Sequence, residues 1–276
     1  MSTNDHELPA IMVVAFEGWN DAGSAATNAV DLLAEAWESD LVTVLDGEDF
    51  YDLQVNRPIV SRDEDGTRII SWPGTEVLAG TLPSGRTVIL LHSIEPSVRW
   101  RSFVAELLEV ARGYGVHEVY TLGALLADVP HTRPLPTNAT SNSAAVRARL
   151  GLKESEYEGP TGITGVFDAL AAARGYEPAS IWVSVPHYVS EMPSPKATLA
   201  LVATLTGLIN ESVHIPELEE DAREWETTVS ELTSDNPEIE GYVAQLESSR
   251  DAAESAEATG DAIAAEFERY LRRHGK

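Results

Sequence analysis

Between Ile11 and Asn210, short apolar runs alternate with longer stretches of helical composition. Ile11 to Phe16 is continuously apolar and reads as a buried strand. Glu17, Gly18 and a polar turn follow it, and Ala22 to Trp37 reads as a helix with Asp21 as its N-cap. Leu41 to Leu45 supplies the next strand, which predicts a unit of the kind that builds parallel sheets. The alternation recurs as strand Thr87–His92, helix Val98–Arg112 ended by Gly113 and Gly115, and strand Val116–Leu122. It recurs again as helix Thr164–Arg174, strand Ser180–Val185 and helix Pro195–Asn210. Gln54 to Val60 and Thr67 to Trp72 flank Asp63-Glu-Asp-Gly66, a hairpin signal placed as an antiparallel insertion or edge. Near-continuous apolar strands separated by helices predict an α/β fold, with a three-layer core built on a mostly parallel sheet.

After Pro216 the pattern changes to glutamate-rich segments with one narrow apolar stripe. Leu218, Ala222, Trp225, Val229 and Leu232 follow helical spacing; Ile239, Tyr242, Val243 and Leu246 continue it, and Ile263, Phe267, Tyr270 and Leu271 repeat it. The expected organisation is therefore an α/β domain over 1–215 and an acidic helical region over 216–276. The stripes either lie on the core or form an interface for another chain.

Composition narrows the function. The 276 residues include 45 acidic and 19 basic ones, a formal charge of −26, so nucleic acid and anionic membrane are unfavourable partners. The absence of cysteine removes disulfides, thiolate metal sites and a cysteine nucleophile. Met1 to Ala10 is polar and acidic, unlike a signal peptide, which predicts a cytoplasmic protein. The longest nearly apolar segment, Ala197–Ile209, is broken by three threonines and Gly207. It falls short of the roughly 20 residues that span a bilayer.

Candidate chemistry gathers where strands end. Gly18 and Gly23 have the spacing of a phosphate loop, but Ser24 and Ala25 stand where Lys and Ser or Thr would hold phosphate and magnesium, and Asn20 occupies the second glycine of a dinucleotide fingerprint. The glycines then serve a tight strand-to-helix turn or, with Asn20 in a candidate pocket or partner-binding site, hold an anionic group. Gly159, Gly162 and Gly165 precede another helix and permit close backbone approach to an anion, a strand or a partner subunit, with Thr161 or Thr164 as a helix cap. Asp21, His92, Glu95, Asp128, His131 and His187 fall at predicted carboxyl ends of strands, the edge where open α/β sheets bind ligands. None has metal-ligand spacing, no serine sits in Gly-x-Ser-x-Gly, and neither metal nor cofactor is expected.

Three stretches together resemble the PAC2 family, which includes proteasome assembly chaperones. They are Gly18-Trp-Asn-Asp-Ala-Gly-Ser-Ala-Ala26, Gly159-Pro-Thr-Gly-Ile-Thr-Gly165, and Trp182-Val-Ser-Val-Pro-His-Tyr-Val189 with Pro193-Ser-Pro-Lys196. Leu91-His-Ser-Ile-Glu-Pro96 and Leu126-Ala-Asp-Val-Pro-His131 fit as well, and the bacterial branch is the most similar. The resemblance implies a fold related to that of nucleoside phosphorylases and hydrolases, no established enzymatic activity, and self-association. It adds Lys196 to the candidate pocket or partner-binding residues. The C-terminal hydrophobic-Tyr-any motif through which some relatives dock is not matched by His274-Gly-Lys276.

Two readings follow. One is a non-enzymatic interaction or assembly protein that contacts its own copies, as a closed homo-oligomer, and another protein complex; the self-contact is placed on Trp225, Val229 or Leu232. The other is an enzyme or small-anion binder using the crevice at the carboxyl ends of the strands.

Overall fold

The structure, a computed structural model, describes residues 9–253. Strand β1, Ala10–Glu17, is buried at every residue but the last, as a central strand covered on both faces must be. It pairs in parallel with β6, Thr87–Ile94, on one side and β7, Val116–Ala127, on the other; β7 pairs in parallel with β9, Glu177–Pro186. The edges are antiparallel. On one flank β5, Gly74–Thr81, pairs with β6 and then with β2, Asp40–Asp46; on the other β8, Thr137–Thr140, pairs with β9. The strand order is β2-β5-β6-β1-β7-β9-β8.

Strand β2 therefore departs from the sequence expectation. It does not complete a parallel unit beside β1 but runs to the far edge, because β5 and β6 intervene and give it an antiparallel partner. The hairpin expected around Asp63–Gly66 forms from β3, Ile59–Arg62, and β4, Arg68–Ser71, as a separate two-stranded sheet. Asp63 accepts from the backbone N–H of Asp65 and Thr67, and Gly66 takes the positive φ of 80° that closes the turn.

Helices cover both faces. Ile11, Val13 and Ala15 point to the face covered by α1, Ala25–Ala36, and α5, Pro195–Ile209; Met12, Val14 and Phe16 point to the face covered by α2, Trp100–Gly113, and α4, Ile163–Ala173. Phe103, Val104, Leu107, Leu108 and Ala111 form the buried stripe of α2. A short helix α3, Ala144–Leu150, lies beside β9, capped by Ser143. This is a three-layer α/β fold.

Helix α6, Pro216–Ser234, packs on α5, with Leu218 inside the core on that face. Trp225 and Val229 are 6% and 0% exposed and close over Tyr188 and Val189. The stripe thus faces the chain's own core. This corrects the placing of a self-contact on Trp225 and Val229, although Leu232 stays 54% exposed. Residues 237–253 are helical; the third stripe, Ile263–Leu271, lies outside the described residues, as do Met1–Leu8. Among the described residues no helix is long and apolar enough to cross a membrane.

Candidate functional site

The parallel strands β1, β6, β7 and β9 end at one sheet edge, and the expected residues lie there in three groups. The first is centred on Asn20, which is 2% exposed. Its amide nitrogen donates to Glu95 Oε1 at 3.2 Å, its amide oxygen accepts from Thr164 Oγ1 at 3.2 Å, and its backbone carbonyl accepts from Ala124 N at 2.8 Å. Glu95 Oε1 also accepts from the backbone N–H of Ile163 at 2.9 Å, at the start of α4. Glu95 is thereby a carboxylate at a helix N-terminus, where the dipole favours it. Gly162 fits flat on this amide: a Cβ there would lie 2.4 Å from Asn20 Oδ1. Gly165 likewise leaves room for Thr161, whose Oγ1 would stand 2.1 Å from an added Cβ. Gly159 lies against the Tyr157 ring instead, so the three glycines do not form one cradle.

The second group surrounds Asp21. Its Oδ1 accepts from Ala26 N at 2.7 Å and Thr27 N at 3.4 Å, and the Thr27 hydroxyl donates to Oδ2, so Asp21 caps α1 across a 3-10 turn, Ala22–Ser24. Burial raises the carboxyl above its usual range despite those donors. Gly18 and Gly23 take φ of 95° and 62° in this turn, and the Gly23 carbonyl accepts from Ser194 N at 2.8 Å. His92, on β6, turns to α1 and pairs with Asp31 at 2.5 Å; that hydrogen bond raises its pKa.

The third group lies beyond β7 and β9. Asp128 meets His187 Nδ1 at 3.2 Å and accepts from the Tyr242 hydroxyl at 3.0 Å. His131 is 1% exposed. Its Nδ1 and backbone N lie 2.8 Å from the Tyr188 hydroxyl, and its Nε2 lies 3.0 Å from Ser230 Oγ. One proton arrangement satisfies all of these. The backbone N–H donates to the Tyr188 oxygen, Tyr188 donates to Nδ1, Nε2–H donates to Ser230, and Ser230 donates to the Glu226 carbonyl. Lys196 donates to the His131 carbonyl and pairs with Glu226 at 2.5 Å. Burial and then Lys196 hold His131 below its usual pKa, and Thr132 and Arg133 bond Glu247 and Asp251.

The chain itself thus covers part of the crevice anticipated at this edge. The 159–165 segment covers Asn20 and packs on Glu95, and α6 covers His131, whereas Asp128 and His187 keep side-chain exposures of 78% and 45%. His131 and Ser230 do form a serine–histidine pair, but Ser230 spends its proton on its own helix, and mid-helix N–H groups are already bonded, leaving no oxyanion hole there. Among the described residues no three His, Asp or Glu side chains gather as metal ligands. Sequence reasoning missed Asp31, Ser230 and Tyr242, each brought in from a distant helix. It also gave no role to Tyr188, which stands within a motif stretch.

Residues 15–233 match the model of the PAC2 family. A PAC2 family protein from Streptomyces avermitilis is 46% identical, with a TM-score of 0.80 over 85% of this chain and 99% of that one. A proteasome-assembly chaperone homologue from Mycobacterium tuberculosis is 42% identical, with a TM-score of 0.76 over 84% and 99%. PbaB, an archaeal proteasome activator from Pyrococcus furiosus, shares the fold at 14% identity, with a TM-score of 0.64 over 82% and 94%. No curated protein sequence matches this chain.

Proposed function

We propose that this chain, which belongs to the PAC2 family, works by binding proteins: a cytoplasmic, self-associating protein of the assembly-chaperone type that docks on another protein complex. One observation carries this reading. At the sheet edge where an α/β enzyme would expose its catalytic groups, Asn20, Asp21, Glu95 and His131 are spent on capping helices and fixing segments, whereas Trp19, Leu125 and Leu126 stand 67%, 43% and 47% exposed. Apolar groups raised on a rigid, internally satisfied edge suit a protein contact, and offer little to a reacting substrate. The relative described as a proteasome-assembly chaperone homologue supports the proteasome as the partner complex.

The test uses the full chain, tagged in its own cells, beside a Trp19→Asp, Leu126→Asp variant. Proteasome subunits recovered with the first and depleted at least tenfold with the second are the expected result. Equal recovery, or no such subunits, speaks against this partner. A hydrolase or phosphorylase substrate turned over by the wild type and not by Asp21→Asn or His131→Ala would replace the reading with the enzymatic one.

A further inference from the structure

Beyond the ends of β7 and β9, two neighbouring exposed side chains present acceptor atoms that nothing in the fold uses. The partners of Asp128, His187 Nδ1 at 3.2 Å and the Tyr242 hydroxyl at 3.0 Å, both meet its Oδ1, so Oδ2 has no partner among the described residues. The His187 tautomer that carries its proton on Nδ1, toward Asp128, presents Nε2 as an acceptor. Tyr242 gives its proton to Asp128 and so adds no competing donor. The pair therefore offers acceptors only, and one of them is charged.

Aromatic faces surround it. The rings of His187, Tyr188 and Tyr242 have centroids 5.5, 5.7 and 6.3 Å apart and planes at 75°, 83° and 88° to one another, near the mutual right angles of a corner. A cation beside Asp128 comes within the ~6 Å at which a ring face attracts it. Tyr188 is fixed from within by its hydrogen bond to His131. Tyr242 stands on the helical segment 237–253, past residue 233 where the family match ends, so this chain completes the cluster from its own extension. Charge and donor count identify the occupant. Other cations of this edge, Arg133 and Lys196, are already met by Glu247, Asp251 and Glu226, in a chain of formal charge −26. A guanidinium is planar, always charged and made of donors alone, and it stacks on aromatic faces while pairing with a carboxylate.

We infer that Asp128, His187, Tyr188 and Tyr242 receive an arginine side chain of the partner protein. The inference rests on the protein-contact reading above and adds the chemistry of the partner. Asp128 lies two residues past the exposed Leu126, so a partner whose apolar groups cover Trp19, Leu125 and Leu126 sets its arginine at the rim of that contact.

The test needs no identified partner. Nα-acetyl-arginine methylamide is titrated into the full chain at pH 7.5, and the ring protons of the seven histidines are followed by NMR, with His187 assigned through His187→Gln. The citrulline analogue, alike in shape but uncharged, is the control. A saturable shift of the His187 signal is expected, with a dissociation constant on the order of 10 mM. It should weaken about threefold or more in Asp128→Asn and in Tyr242→Leu, whose folding is checked by circular dichroism. No His187 shift, an equal shift from citrulline, or binding indifferent to both substitutions overturns the site. Proteasome subunits recovered from cells while the His187 signal stays still leave the protein-contact reading and remove the arginine. A His187 shift that meets these criteria with no subunits recovered leaves the arginine site and removes that partner.

Discussion

Asn20 and Asp168 are fixed by different balances, and substitution separates them. Asn20 is held through both ends of its amide and its carbonyl, so it cannot retreat from a neighbour. Gly162→Ala sets a methyl 2.4 Å from Asn20 Oδ1 and is expected to cost about 1–3 kcal/mol. Chemical denaturation checks it; an unchanged midpoint would mean the 159–165 segment yields freely. Asp168, on α4, is turned in under the sheet toward the hydroxyls of Thr121 and Ser180, and burial pushes its carboxyl up to about 7 although the residue keeps some exposure. Its folded-state pKa is raised, so the native state holds the proton more tightly than the unfolded chain. Stability through this group is full in acid and falls as pH rises from about 4 to 7. Asp168→Asn keeps an acceptor and removes the buried charge. It is expected to gain roughly 1–2 kcal/mol at pH 7.5 and nothing at pH 4; thermal melts at both pH values decide this, and a loss at pH 7.5 would show that the ionised form is needed.

Helix α6 is held by a seam whose protons matter. Neutral His131 accepts from Tyr188 and donates to Ser230; a charged ring keeps the donation to Ser230 but can no longer accept from Tyr188, and it would face Lys196, with Glu226 and Glu247 as the opposing charges. Because its pKa is lowered in the folded state, the contribution is present above the unfolded value of about 6.5 and lost as pH falls below it. Melting temperature is expected to drop between pH 7 and pH 5 more steeply in wild type than in His131→Ala; parallel curves would exclude the seam as the cause. We also propose that the chain divides near Pro216. A chain ending at Ile215 is expected to unfold cooperatively but at lower temperature, since uncovering Val189 and Tyr188 forfeits about 1.5–3 kcal/mol per apolar side chain. An insoluble product would make α6 part of the folding unit. Elements were legible where the pattern is local: β1, β6 and β9 are apolar runs, and α2 and α5 carry their own stripes. Strand β5, with two glycines and one fully buried apolar residue, and β8, four polar-to-small residues, owe their pairing to neighbours and left no comparable trace. The edge that collects Asp21, Glu95, Asp128 and His131 followed from strand order. The covering of Asn20 and His131 did not, because the partners lie far along the chain: Thr164 is 144 residues from Asn20, and Ser230 is 99 from His131.

At the scale of the whole molecule, the net charge sets what self-association costs. Each copy carries a formal −26, so two copies repel over the full separation at which their fields overlap, while only a few ion pairs can attract across a contact between them. Exposed pairs of that kind contribute about 0–1 kcal/mol each, and salt weakens them. Salt weakens the repulsion as well, and over more charges: the screening length shrinks from ~30 Å at 0.01 M to ~8 Å at 0.15 M, so most of the distant like-charge terms vanish while an apolar contact is untouched. The repulsive sum outnumbers the local attractions, and the balance favours tighter association in salt. Sedimentation equilibrium at 0.01 M and 0.15 M sodium chloride is therefore expected to show a smaller dissociation constant for the proposed self-association at the higher concentration. An assembly that salt dissolves would place the binding energy in ion pairs instead of an apolar contact.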